Sequence, residues 1–120
     1  PGDVAVWVST ALEGCPMRRC TPEFFSIFGG STSLLRGSKL VPWIESITRD
    51  EFADQLQLCV NDLAYDEAAT SPMFLGRRRL QSSDLRITAD LYVSLPAEPV
   101  DVADSAELVV KIMCRCIESR

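Results

Sequence analysis

The chain contains no histidine. That removes the commonest general base, the usual activator of a serine or cysteine nucleophile, and a standard zinc ligand together. Carboxylates do not replace it: Glu13, Glu23, Glu45, Asp50, Asp62, Asp66 and Asp84 are scattered through turns and element ends, with no convergent pair. Long apolar runs are also missing. No stretch of about 18 residues could span a bilayer and no basic-then-apolar leader opens the chain, so a soluble protein without membrane contact is expected. Positive charge is scarce as well, with 12 Lys and Arg against 17 Asp and Glu, a net charge of -5 and a pI near 4.6. That balance argues against a generic polyanion binder, which needs a basic face. The glycine-rich run Gly29-Gly30-Ser31-Thr32-Ser33 lacks the closing Gly-Lys-Ser/Thr of a phosphate loop and reads as a connector.

What is present is apolar. With 120 residues and 47% hydrophobic content, residues 1–120 read as a single domain with one core. Five cysteines are an odd number, so one at least stays unpaired within the chain. Neither Cys15 and Cys20 nor Cys114 and Cys116 has the two-residue spacing of a zinc knuckle, and no metal or cofactor is expected. Cys59 and Cys116 read as small core residues. Cys15 and Cys20 flank a turn, where they are either free thiols of a cytosolic product or, in an oxidising setting, a link to a neighbouring chain. Pro1 fits trimming of an initiator Met or cleavage of a precursor.

Asp3 to Ser9 alternates, with Val4, Val6 and Val8 on one face, and predicts a strand. Ala11 to Pro16 supplies a turn and Met17 to Thr21 the returning arm of a hairpin. Thr21-Pro22-Glu23 starts a short turn or helical piece carrying Phe24, Phe25, Ile27 and Phe28, halted at Gly29-Gly30. Leu34 to Ile47, interrupted by Gly37 and Pro42, fits an edge strand with a bend. Thr48-Arg49-Asp50-Glu51 has the pattern of a capping box, and Phe52, Leu56, Cys59, Val60 and Leu63 follow at helical spacing. Leu56, Leu58 and Val60 also alternate, so a strand competes with that helix. Asp62 to Pro72 is an acidic loop. Leu85 to Pro96 is an alternating strand, with Ile87, Ala89, Leu91, Val93 and Leu95 on its core face and Arg86, Thr88, Asp90, Tyr92 and Ser94 opposite.

An acidic loop, Ala97 to Asp104, leads to Ser105–Glu118. Val109, Ile112, Met113, Cys116 and Ile117 recur there at the interval of one helical face, while Leu108, Val110, Ile112, Cys114 and Cys116 suit a strand face. The charges Glu107, Lys111 and Arg115 at successive steps of four, behind Asp104 as a cap, favour a helix. A helix apolar over most of its circumference asks for a partner surface. The set Val109, Ile112, Met113, Cys116 and Ile117 is therefore the expected dimer contact.

Positive charge concentrates in Met73-Phe74-Leu75-Gly76-Arg77-Arg78-Arg79-Leu80. If extended, Arg77 and Arg79 share a face and Arg78 points the other way. The choice is between a solvated charge run and a phosphate-contacting patch made by Arg77, Arg79, Arg86, Thr88 and Tyr92, with the Tyr92 ring offered to a base. No enzyme is expected. One enzyme template resembles the chain at Pro1, since tautomerase-like folds use a free N-terminal proline as a base; the long helix they place after the first strand is broken here by Gly14, Pro16 and Pro22.

A second resemblance spans more. The run Ala89-Asp90-Leu91-Tyr92-Val93-Ser94-Leu95-Pro96, followed by Asp104-Ser105-Ala106-Glu107-Leu108-Val109-Val110-Lys111-Ile112-Met113, is similar to the last strand and following helix of the coat proteins of single-stranded RNA bacteriophages. Thr21-Pro22-Glu23-Phe24-Phe25 has a weaker counterpart after the hairpin of that family. The resemblance implies an α+β fold: an antiparallel sheet with an N-terminal hairpin and a C-terminal helix packing across the sheet of a dimer partner. It implies a capsid protein that homodimerises and self-assembles into an icosahedral, virus-like shell, assembled in the host cytoplasm and found in the virion. RNA binding by Arg77, Arg79, Arg86, Thr88 and Tyr92 would follow. The alternative is a small oligomeric interaction module, or a phage tail or head accessory protein, without RNA.

Overall fold

The computed structural model describes residues 3–10, 13–28, 38–65, 72–82, 85–95 and 108–119. Strands β1 (Val4–Ser9) and β2 (Met17–Cys20) form the expected hairpin. In the described part of its turn the left-handed conformation occurs at Gly14 (φ 79°) and Cys15 (φ 56°). Helix α1 (Pro22–Phe28) begins where Thr21 supplies an N-cap: its Oγ1 accepts the Phe24 N–H at 3.3 Å, and Pro22 occupies the first helical position. The same hydroxyl oxygen accepts the Ala5 N–H at 3.0 Å, so one threonine fastens α1 to β1.

No strand forms in the described part of 34–47; residues 34–37 lie outside the described set. Two 3-10 turns, Val41–Trp43 and Ser46–Thr48, stand there instead, touching the sheet through single bridges from Lys39 to Pro16 and from Ile44 to Leu80. Pro42 accounts for the change. It sits in the first turn of a 3-10 segment, where its missing N–H costs nothing. The second turn runs directly into helix α2 (Arg49–Tyr65), which is the helix expected from Phe52, Leu56, Cys59 and Val60, all buried. The capping box does not form as written, because the Thr48 hydroxyl donates to the Glu45 carbonyl at 3.4 Å.

Strands β3 (Met73–Ser82), β4 (Leu85–Ser94) and β5 (Val109–Ser119) complete one antiparallel sheet in the order β2-β1-β5-β4-β3. The chain is α+β, and its described residues form a five-stranded sheet and two helices. The expected C-terminal helix is a strand, and the last strand of the sequence lies at the centre of the sheet. Its Val110, Ile112 and Cys114 face the helices, paired in register with Val8, Val6 and Val4 on one side. Asp104 to Glu107, the proposed cap, lie outside the described residues.

The core fills the space between the helices and the inner sheet face. Phe24, Leu40, Ile44, Phe52, Leu75, Leu80, Leu91 and Val93 are wholly shielded from solvent or nearly so. Phe24, Phe28 and Trp43 form an aromatic group, with centroids 4.5 Å apart for the two phenylalanines and 5.3 Å for Phe28 and Trp43. Burial of such side chains, at about 1.5–3 kcal/mol each, is the main stabilising term of a domain this size. Gly76 (φ 96°) ends a bulge in β3, where the register shifts between Phe74 and Gly76. A Cβ there would lie 3.2 Å from Nε of Arg78. The bulge thus resets the alternation so that Arg78, and not Arg77, enters the core.

Candidate functional site: the outer face of the sheet

The inner sheet face is apolar, and among the described residues one charged side chain is buried there. Arg78 is 5% exposed, donates to the Leu75 carbonyl at 3.0 Å and to Oε1 of Gln55 at 2.6 Å, and pairs with Glu51 at 3.2 Å. Its guanidinium also lies 5.7 Å from the Phe52 ring centroid. Every donor direction used points at β3 or α2, so Arg78 clamps helix to sheet and presents nothing to a ligand.

The outer face is different. Trp7 on β1 is paired with Arg19 of β2 and Lys111 of β5, and both cations approach its ring, at 4.9 Å and 5.4 Å from the centroid. Next to them Arg115 lies 5.4 Å from the Tyr92 ring, which in turn meets Phe74 at 5.1 Å. Cations on aromatic faces at such distances contribute about 0.5–1 kcal/mol where exposed. Phe74 remains 51% exposed, a large apolar side chain left open to solvent beside this group. Ala5, Val109 and Met113 share this face and are shielded.

The sequence-selected residues fall on the same face, with their charge partly used. Arg77 donates to Asp90 at 3.1 Å, to the Cys116 carbonyl at 3.1 Å and to Glu118 at 2.5 Å. Those partners, the Asp90 hydrogen bond first, raise its pKa further above the ordinary arginine range. Arg79 reaches Glu45 at 3.8 Å. Arg86, Thr88 and Tyr92 follow the expected alternation of β4, whereas Leu95 lies beyond its end and is 41% exposed.

The expected dimer set does not form one surface. Ile112 and Ile117 pack on the inner core, Val109 and Met113 face outward, and Cys116 sits exposed at a bulge with φ 52°. Cys116 is therefore not a core residue. Cys59 and Cys114 are buried, and burial pushes the Cys114 thiol up to about 12. Cys15 and Cys20 are half-buried, their thiols also pushed up by burial. Cys15 lines a cleft of about 260 Å³ with Glu13, Val41, Leu56 and Gln57, between the β1–β2 turn and α2. Among the described residues no group of three Cys, Asp or Glu side chains is placed to hold a metal, and no helix is long and apolar enough to cross a membrane.

The chain matches the LOV domain of a blue-light activated histidine kinase from Erythrobacter litoralis EL346, with a TM-score of 0.64 and 9% identity, over 100% of this chain and 99% of that one. The fold is LOV-like. That fold overturns the coat-protein reading together with the capsid, virion and RNA-binding roles attached to it. The physical reason is β5: a coat protein of the expected type needs a C-terminal helix, and here that segment is the central strand. No protein-family model matches the chain, and no curated protein does. At this identity the likeness carries the fold alone, so the light response of the neighbour is not carried over.

Sequence reasoning missed Trp7, Arg19, Lys111 and Arg115 as a group. The signal was available in part, since Trp7 interrupts a face of small residues, but linking it to residues more than 100 positions away requires the β1–β5 pairing.

Proposed function

We propose that this chain is a sensory or signalling module, without catalytic activity, that works through the outer face of its sheet. The observation that carries this reading is the cation–aromatic group of Trp7, Arg19, Lys111, Arg115, Tyr92 and Phe74 on a LOV-like scaffold whose inner face is committed to its own core. Aromatic and arginine side chains are the residue types that dominate binding energy at protein interfaces. A sheet face that retains an open phenylalanine beside ring-bound cations is suited to receive a partner and to report its arrival through β5, which connects both halves of the sheet.

The test is a chimera in which the chain replaces the sensor domain of a histidine kinase. Autophosphorylation is compared between the unaltered chain and a variant with Arg19→Glu and Arg115→Glu. A change of threefold or more in rate, with unchanged circular dichroism, supports an outer-face output. Equal rates for the two chimeras reject it.

A further inference from the structure

The two exposed surfaces of this domain are opposite in charge. Six of the chain's 12 Lys and Arg residues, namely Arg19, Arg77, Arg79, Arg86, Lys111 and Arg115, stand on the outer sheet face. Asp3, Glu45, Asp90 and Glu118 offset only part of that charge, and Arg19, Arg86 and Arg115 meet no carboxylate among the described residues. On the far side, α2 turns Asp50, Glu51, Asp54 and Asp62 to solvent, at spacings that place them along one stripe. The same stripe carries Leu58, 66% exposed, and Tyr65, 87% exposed. The one basic residue of α2, Arg49, is turned away and bonded to the carbonyls of Pro42 and Ile44.

We infer that the acidic, Leu58- and Tyr65-bearing face of α2 docks on the outer sheet face of a second copy of this chain, in a head-to-tail contact. This rests on the outer face being the working surface. Within one chain the two faces cannot meet, because α2 is packed on the inner side of the same sheet. Face-to-face pairing of two sheets would set two net-positive faces against each other, each with six cations against four carboxylates, which opposes association. Helix on sheet reverses that sign and brings apolar groups together: the exposed Leu58 and Tyr65 on one side, the exposed Phe74 and the half-buried Trp7 ring on the other. The dimensions agree. A 17-residue helix is about 25 Å long, and five strands span about 19 Å between the axes of the edge strands. Such a contact is heterologous and leaves one free surface at each end, so association does not close at two copies.

The experiment uses the whole chain and two double variants of exposed residues: Arg19→Glu with Arg115→Glu on the sheet, and Asp54→Lys with Asp62→Lys on the helix. Sedimentation equilibrium of the unaltered chain should show a mass that rises with concentration past two copies and falls back at about 0.5 M salt, where screening is strong. Each variant alone should associate at least tenfold more weakly. Their equimolar mixture should not stop at monomers. The acidic helix of the sheet variant meets the intact sheet of the helix variant, and the two reversed surfaces are opposite in charge in their turn, so the mixture should associate again and past two copies. A monomeric unaltered chain at millimolar concentration overturns the inference, as does a closed dimer that the mixed variants fail to restore. Should the kinase chimera still respond to the sheet variant in that case, the outer face keeps its role with a different partner.

Discussion

Three consecutive arginines should differ sharply in what they contribute. Arg78 makes two hydrogen bonds from within the core, at 3.0 Å and 2.6 Å, and an ion pair at 3.2 Å to Glu51, whose side chain is 72% exposed. Each charge-assisted hydrogen bond is worth about 1.5–3 kcal/mol, and the exposed Glu51 partner adds little. Against this stands the desolvation that truncation gives back, which for buried ions is of similar size. Arg78→Ala also deprives the buried Leu75 carbonyl of its donor and leaves the stem's volume empty. The net loss works out at about 2–4 kcal/mol. Arg79 is 53% exposed and 3.8 Å from its carboxylate, so Arg79→Ala should cost under about 1 kcal/mol. Arg77→Ala should fall below Arg78→Ala, because its partners lie on the solvated face. For a chain of this length 1 kcal/mol moves the melting midpoint by about 4 °C, giving a drop of about 8–16 °C for Arg78→Ala. Urea unfolding with a common slope provides the free energies, and Arg78→Met, which keeps the stem, should recover part of the loss. If Arg78→Ala and Arg79→Ala agree within about 0.5 kcal/mol, the clamp between β3 and α2 is not as described.

Two further outcomes follow from the same geometry. Gly76→Ala forces a Cβ into a φ of 96° within 3.2 Å of Arg78, and should cost at least about 1 kcal/mol in the same urea assay, with strong non-additivity toward Arg78→Ala. The buried Cys114 thiol keeps its proton to about pH 12, whereas an unfolded thiol loses it near 9.0. Its folded pKa is raised, so its contribution to stability is whole below pH 9 and declines as pH rises from about 9 to about 12. The unfolding free energy should fall over that window by up to about 1.4 kcal/mol per pH unit for this thiol, and Cys114→Val should flatten the decline. A urea midpoint that stays constant between about pH 9 and 11 would contradict its burial.

Local chemistry made some elements legible and topology hid others. Val4, Val6 and Val8 alternate because β1 has one inner face, and β4 alternates from Arg86 to Ser94 for the same reason. Thr21 and Pro22 announced α1 because an N-cap and a first-turn proline are local devices. The helix α2 was readable from Phe52, Leu56, Cys59 and Val60 despite the competing alternation of Leu56, Leu58 and Val60. Burial separates the two: Leu58 is exposed, which a strand buried through that face would not allow. Residues 41–48 resisted, since short 3-10 turns have too few positions to establish a period. Of the candidate site, β4 and Arg77 were visible, but Trp7, Lys111 and Arg19 become neighbours only through strand pairing.

The misreading of β5 has a specific physical origin. A spacing of four is an even number, so Lys111 and Arg115 share a face in a strand just as they do in a helix, and the charge strip could not discriminate between them. A central strand is also covered on both sides. Val110, Ile112 and Cys114 enter the core while Val109 and Met113 are shielded on the outer face, which produces the near-continuous apolar run that a surface helix would not show and that a two-sided helix imitates. The bulge at Cys116 then shifts the phase, returning Ile117 to the inner side and extending the apparent three-and-four interval. The all-round apolar character of this segment sets a need for cover that belongs to a central strand. It is met within the chain by β1 and β4, and what remains open for a second molecule is the charged and aromatic surface outside them.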